Sequence, residues 1–161
     1  MEERPASGPV LLCYDGSGPS RRALEHAAEL LAPAPALVVH AWPALSHVLL
    51  WSPVFSAPPG PLSDAAAEID DACRAAGRRV VDEGVEIARA AGFEAAPLLV
   101  ETHHGAWRTI IGVADARDAR LIVIGSHGIS PIASRLLGSV AAGVTQHADR
   151  PVLMVPAERV G

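Results

Sequence analysis

The sequence predicts a single α/β domain, an open five-stranded parallel sheet with helices on both faces. Three observations carry that expectation. Short apolar runs recur along the chain, as strands buried on both faces require. Between them lie segments whose apolar residues repeat at three and four, the period of a helix. The length, 161 residues, suits one domain with a core that needs neither disulfide nor metal.

The elements follow in order. Residues 10–14 (VLLCY) read as the first strand, and Asp15-Gly16-Ser17-Gly18 turns the chain. A helix is expected over 19–31, with Pro19 in its first turn and Ala23, Leu24, Ala27, Ala28 and Leu31 on one face. Residues 36–42 (ALVVHAW) read as the second strand. A Pro-rich, uncharged connection over 43–62 carries Trp51 and Phe55, either as a flap or partner contact or, the favoured reading, folded onto the protein's own core. A long helix is expected over 63–91, with the stripe Ile69, Cys73, Ala76, Val80, Ile87 and Ala91. Gly84 would complete that stripe, Gly77 weakens the helix locally, and Gly92 stops it. A strand (95–100), a helix (106–116), a strand (121–124), a glycine-rich loop, a helix (139–147) and a last strand (152–155) complete the chain. Residues 1–8 and 157–161 read as tails of this one domain.

Composition narrows the function. All 13 basic residues are arginines, so a P-loop lysine, a Schiff-base enzyme and a lysine general base are excluded. The net charge of −5 argues against non-specific nucleic-acid binding, which needs a dense phosphate-neutralising face. Cys13 and Cys73 lack a CxxC spacing and read as reduced core thiols of a cytoplasmic protein. The opening MEERPASGP has no apolar core and does not read as a signal peptide. Seven prolines interrupt the uncharged stretch 30–63, so no membrane span is expected.

Parallel sheets bind ligands at the carboxyl ends of their strands, near the switch in strand order. Candidate residues therefore lie just after Tyr14, Trp42, Val100 and Ile124. There, Gly125-Ser126-His127-Gly128 follows a strand, and nine residues later Gly138-Ser139 opens a helix. Gly125 and Gly128 permit a tight turn and close backbone approach to a ligand. A helix N-terminus at Gly138 aims free N–H groups at the same place, a natural anion site, and Ser139 can cap that helix or donate to a phosphate oxygen. Chance gives this four-position pattern in about 1% of chains of this composition.

The segment GSHGISPIASRLLGSVAAGVTQHADRPVLMVP resembles the C-terminal signature of the universal stress protein family. It is most similar to the ATP-binding branch, whose motif G-2x-G-9x-G-[S/T] is met at Gly125, Gly128, Gly138 and Ser139. VLLCYDGSGPSRRALEHAAELL and ALVVHAW resemble the family's first strand, first helix and second strand. The resemblance implies a Rossmann-like, adenine nucleotide alpha hydrolase-like fold that binds ATP, with Mg2+ or Mn2+ held by the phosphates rather than by a protein cage. It implies that Asp15 holds the ribose and adenine side, and that the backbone of Ala41, after His40, receives adenine. Tyr14, Ser126, His127 and Val140 fall in the same shell. Arg135, the sole formal charge of 121–148, is a phosphate contact or a solvated surface residue. Homodimerisation through the C-terminal strand is also implied.

One departure is Glu101-Thr-His-His-Gly105, where the family often has a glycine soon after the third strand; Glu101 either points away or coordinates through metal. Other signals are weaker. Gly16-Ser-Gly18-Pro-Ser-Arg21 misses GxGxxG at its third glycine, and His103-His104 lacks the partners of a zinc site. Asp15 has an ordinary alternative as a turn or helix cap. The functional expectation is a nucleotide-dependent regulatory or stress-response switch with a protein partner the sequence does not name. A slow ATPase or phosphotransferase, or a nucleotide-free interaction module, are its rivals.

Overall fold

The computed structural model describes residues 8–44, 61–127 and 137–157. Trp51 and Phe55 of the Pro-rich connection, Gly128 of the motif and the candidate phosphate contact Arg135 lie outside the described residues. Nine elements run β1 (Val10–Cys13), α1 (Gly18–Leu31), β2 (Pro35–Pro43), α2 (Pro61–Ala90), β3 (Glu94–Thr102), α3 (Ala106–Ala116), β4 (Leu121–Gly125), α4 (Ser139–His147) and β5 (Val152–Val155). Expected and observed boundaries differ by at most two residues, mostly because β2 and β3 pair as far as Pro43↔Thr102.

The sheet order is β3-β2-β1-β4-β5, and every pairing is parallel. The chain builds outward from β1 to β3, then crosses back to place β4 against the free side of β1. That reversal between β1 and β4 is the switch point where a crevice opens at the carboxyl ends.

Alternation along β1 divides the core. Val10, Leu12 and Tyr14 pack with α1 and α2, whereas Leu11 and Cys13 pack with α3 and α4. Leu11, Leu12, Leu24 and Ile122 are fully buried, each stabilising the fold by roughly 1.5–3 kcal/mol. Away from the crevice, Arg150 ties the lower edge: its guanidinium donates to Ala114 O and Ala119 O at 2.8 Å each, joining the end of α3 to the entry of β5.

The buried stripe of α2 keeps the expected Gly84 but otherwise departs from the expected one. Ala66, Asp70, Gly77, Val81, Gly84, Val85 and Ala88 face inward, while Ile69 and Cys73 are exposed. Cys73 is therefore a surface thiol, and only Cys13 is a core cysteine. The cause is how closely the helix lies on the sheet. A Cβ at Gly84 would come within 2.6 Å of the Tyr14 ring and 2.8 Å of Val38, and one at Gly77 within 2.9 Å of Leu99. Small residues set the inward face, and the larger Val80 and Ile87 flank it, half-buried.

Candidate functional site

At the carboxyl ends of β1, β2 and β4, beneath the N-termini of α3 and α4, lies a cavity of about 280 Å³. Tyr14, Asp15, Ala41, Gly125, Ser126, His127, Gly138, Ser139 and Val140 all border it, so every described residue of the expected site is brought to one place. Cys13, Ser20, Val39, Ala106, Ile110, Ile124 and Ala141 also border it, and sequence reasoning had not named them as site residues. For Ala106 a signal was present: Gly105 stands just before it, between strand and helix.

The residues of β1 part ways here. Cys13 faces the cavity, and burial, with a smaller push from Asp15, raises its thiol to about 12. The thiol stays protonated near neutral pH, the form least suited to nucleophilic attack. Tyr14 points to the opposite face: its ring packs at Gly84 and its hydroxyl donates to Glu83 Oε1 at 2.9 Å. Burial, then the bond to Glu83, raises this phenol to about 12 as well. Tyr14 borders the cavity, but its phenol is committed to α2.

Asp15 performs the ordinary turn role while still facing the cavity. Its Oδ1 accepts from Ser17 N at 3.0 Å, holding the turn in which Gly16 takes φ 82°. Ser17 is the cap of α1, its Oγ accepting from Ser20 N at 3.2 Å. On β2, His40 Nδ1–H donates to Tyr14 O at 2.9 Å and fastens the strand ends together beside Ala41.

Two helix ends at the cavity differ from α1. Gly138 caps α4 and Gly105 caps α3, and neither end has a side-chain cap. Ser139 is thus the first helical residue rather than the cap, and its hydroxyl does not close the helix. The first intrahelical bond of α4 runs from Ala142 N to Gly138 O at 2.8 Å, so the N–H groups of Ser139, Val140 and Ala141 precede it. With the partial positive charge of the helix end, these suit an anion. Among the described residues, Asp15 is the only formally charged side chain at the cavity.

The glycine at 125 has a structural reason beside the expected one. A Cβ there would lie 3.1 Å from Pro19 O, so Gly125 lets the start of α1 close on the end of β4. Ser126 is saturated: its N–H donates to Val155 O, its carbonyl accepts from Gly138 N, and its Oγ accepts from Ala157 N, each at 2.9 Å. The same Oγ lies 2.9 Å from His127 Nδ1, and His127 Nε2 is buried without a partner among the described residues.

Glu101 is not among the residues that border the cavity; it lies 3.8 Å from both Arg74 and His103 beside the end of β3, where Arg74 also stacks over Trp42. No group of three His, Cys, Asp or Glu among the described residues is arranged to hold a metal ion. Nor is any helix among them long and apolar enough to cross a membrane.

Comparison with known proteins places this architecture. Two universal stress proteins of Mycobacterium tuberculosis match parts of the chain: one is 31% identical over 80 residues (49% of this chain, 27% of its own length). The other is 48% identical over 46 residues (29% of this chain, 32% of its own length). The match thus spans about a third or less of these curated relatives. A universal stress protein solved in complex with cAMP is 27% identical, covering 93% of this chain and 98% of that one with a TM-score of 0.56. The profile of the universal stress protein family matches residues 7–156, nearly the whole sequence. The chain belongs to the universal stress protein family.

Proposed function

We propose that the chain binds an adenine nucleotide, ATP first among them, in the cavity at the ends of β1, β2 and β4, and works as a nucleotide-dependent regulatory or stress-response switch in the cytoplasm. The observation that carries this reading is the glycine-capped N-terminus of α4, whose unpaired N–H groups border a cavity at the strand-order switch. The relative solved with cAMP supports the adenine nucleotide as ligand class.

In this reading the Ala41 backbone receives adenine and Asp15 holds the ribose. Gly125, Ser126, His127, Gly138, Ser139 and Val140 surround the phosphates, with Gly128 completing the motif and Arg135 a further phosphate contact. Mg2+ or Mn2+ would ride on the phosphates, which suits a cavity whose described wall offers a single carboxylate. Titration calorimetry with ATP, ADP and AMP tests the reading, paired with a turnover assay. Binding is expected without turnover, and Gly138→Val should weaken it at least about tenfold by crowding the helix end. No binding of any of the three, or full affinity in a folded Gly138→Val chain, would overturn it.

Homodimerisation through β5 is part of the same proposal. β5 is an edge strand, and an apolar edge invites pairing with another chain. Met154 is 39% exposed, whereas Leu153 and Val155 pack into the core, so Met154→Glu is the informative change. A lowered sedimentation mass is expected; an unchanged dimer mass would move the interface elsewhere.

A further inference from the structure

We propose that Ser126 is a positioning residue that holds His127 in the neutral tautomer protonated on Nε2, so that the ring offers one fixed N–H donor to a phosphate oxygen of the nucleotide. The donor's target rests on the proposed function; the tautomer does not.

The argument is a count of protons. A serine hydroxyl has one proton to donate and lone pairs to accept. Ser126 is 6% exposed, and its Oγ accepts from Ala157 N at 2.9 Å while lying 2.9 Å from His127 Nδ1. Suppose Nδ1 carried the ring proton. Oγ would then accept twice, its own proton would have no acceptor among the described residues, and the Nε2 lone pair would have no donor. Two buried polar groups would go unmet. With the proton on Nε2, the Ser126 hydroxyl donates to Nδ1 and still accepts from Ala157, leaving only the Nε2–H without a partner. Unmet buried groups are costly, so the arrangement with one of them is the more stable.

That remaining N–H belongs to a residue bordering the cavity, next to the helix end that Gly138 caps. The Nε2 atom is itself buried, so an acceptor oxygen reaches it only as its surroundings open slightly, but the ring, held by its hydrogen bond, need not change tautomer to meet it. The hydroxyl that sets the ring also holds Ala157, just past β5, so ring orientation and the seating of the chain after the edge strand depend on one atom.

Nitrogen NMR of isotope-labelled histidine in the full chain tests this, with His127→Gln identifying the resonances among the seven histidines. At a pH above the usual imidazole range, the wild-type ring is expected to be protonated on Nε2 and bare on Nδ1. Ser126→Ala should mix the tautomers and weaken AMP binding about tenfold, and Ser126→Thr, which keeps the hydroxyl, should restore both. A wild-type ring protonated on Nδ1 overturns the proposal. So does an unchanged tautomer in Ser126→Ala, whatever happens to affinity, because a merely structural role would weaken binding without moving the proton. If the tautomer is as expected but AMP, ADP and ATP all fail to bind, the nucleotide reading and the donor's target fall while the hold of Ser126 on the ring stands.

Discussion

The N-termini of α1 and α4 both begin at the carboxyl ends of neighbouring strands, and they use their N–H groups differently. At α1, Ser17 supplies a side-chain oxygen to Ser20 N, and Asp15 closes the turn before it. At α4, the equivalent position is Gly138, which has no side chain to offer. One helix end is satisfied from within; the other keeps its donors for whatever enters the cavity. The difference shows how neighbouring strands of one sheet can lead into a helix start closed by a side chain and one left open, by the choice of a single cap.

The same contrast separates the two faces of the sheet. On the α1/α2 side, glycines let helix and sheet close until the Tyr14 ring touches α2. On the α3/α4 side, the strand ends stay open and Cys13 borders a cavity. The largest expected effect comes from forcing the closed face apart. Gly84→Val should destabilise the chain by about 3 kcal/mol, because its Cβ would collide with Tyr14 and Val38, both buried. Chemical denaturation measures this, and a loss within error would mean that α2 shifts freely on the sheet.

A smaller effect belongs to the caps. Ser17→Ala should cost about 1 kcal/mol by leaving the first turn of α1 without its oxygen, with nucleotide affinity held. The opposite exchange, Gly138→Ser, should raise stability by a few tenths of a kcal/mol while lowering affinity, since the new hydroxyl competes with the ligand for the same N–H groups. Denaturation and titration of both variants read the comparison directly. Equal responses at the two helix ends would erase the distinction.

Much of the fold was legible in the sequence because buried parallel strands leave few alternatives. VLLC, LVV and LIVI are apolar without interruption, and the turn residues after them are explicit. The meeting of residues at one cavity was legible through the spacing from Gly125 to Gly138, which sets a loop between a strand end and a helix start. The stripe of α2 was misjudged in part for a physical reason: reading apolar size selects Ile69 and Cys73, but close packing selects Gly77, read only as a weak point, beside the expected Gly84. Gly125 has a second reason that the sequence does not announce, since the backbone of Pro19, far away in the chain, closes on it. Contacts between elements far apart in sequence, such as Tyr14 with Glu83 or Ser126 with Ala157, have no local signal at all.

The central claim is that the free end of α4 receives the nucleotide. Backbone amide NMR during an ATP titration tests it most directly. The account predicts that the amides of Ser139, Val140 and Ala141 shift together and saturate, while those of Arg21 and Arg22 in α1 hold still. Saturable binding that moves the α1 amides and leaves Ser139, Val140 and Ala141 in place would contradict it.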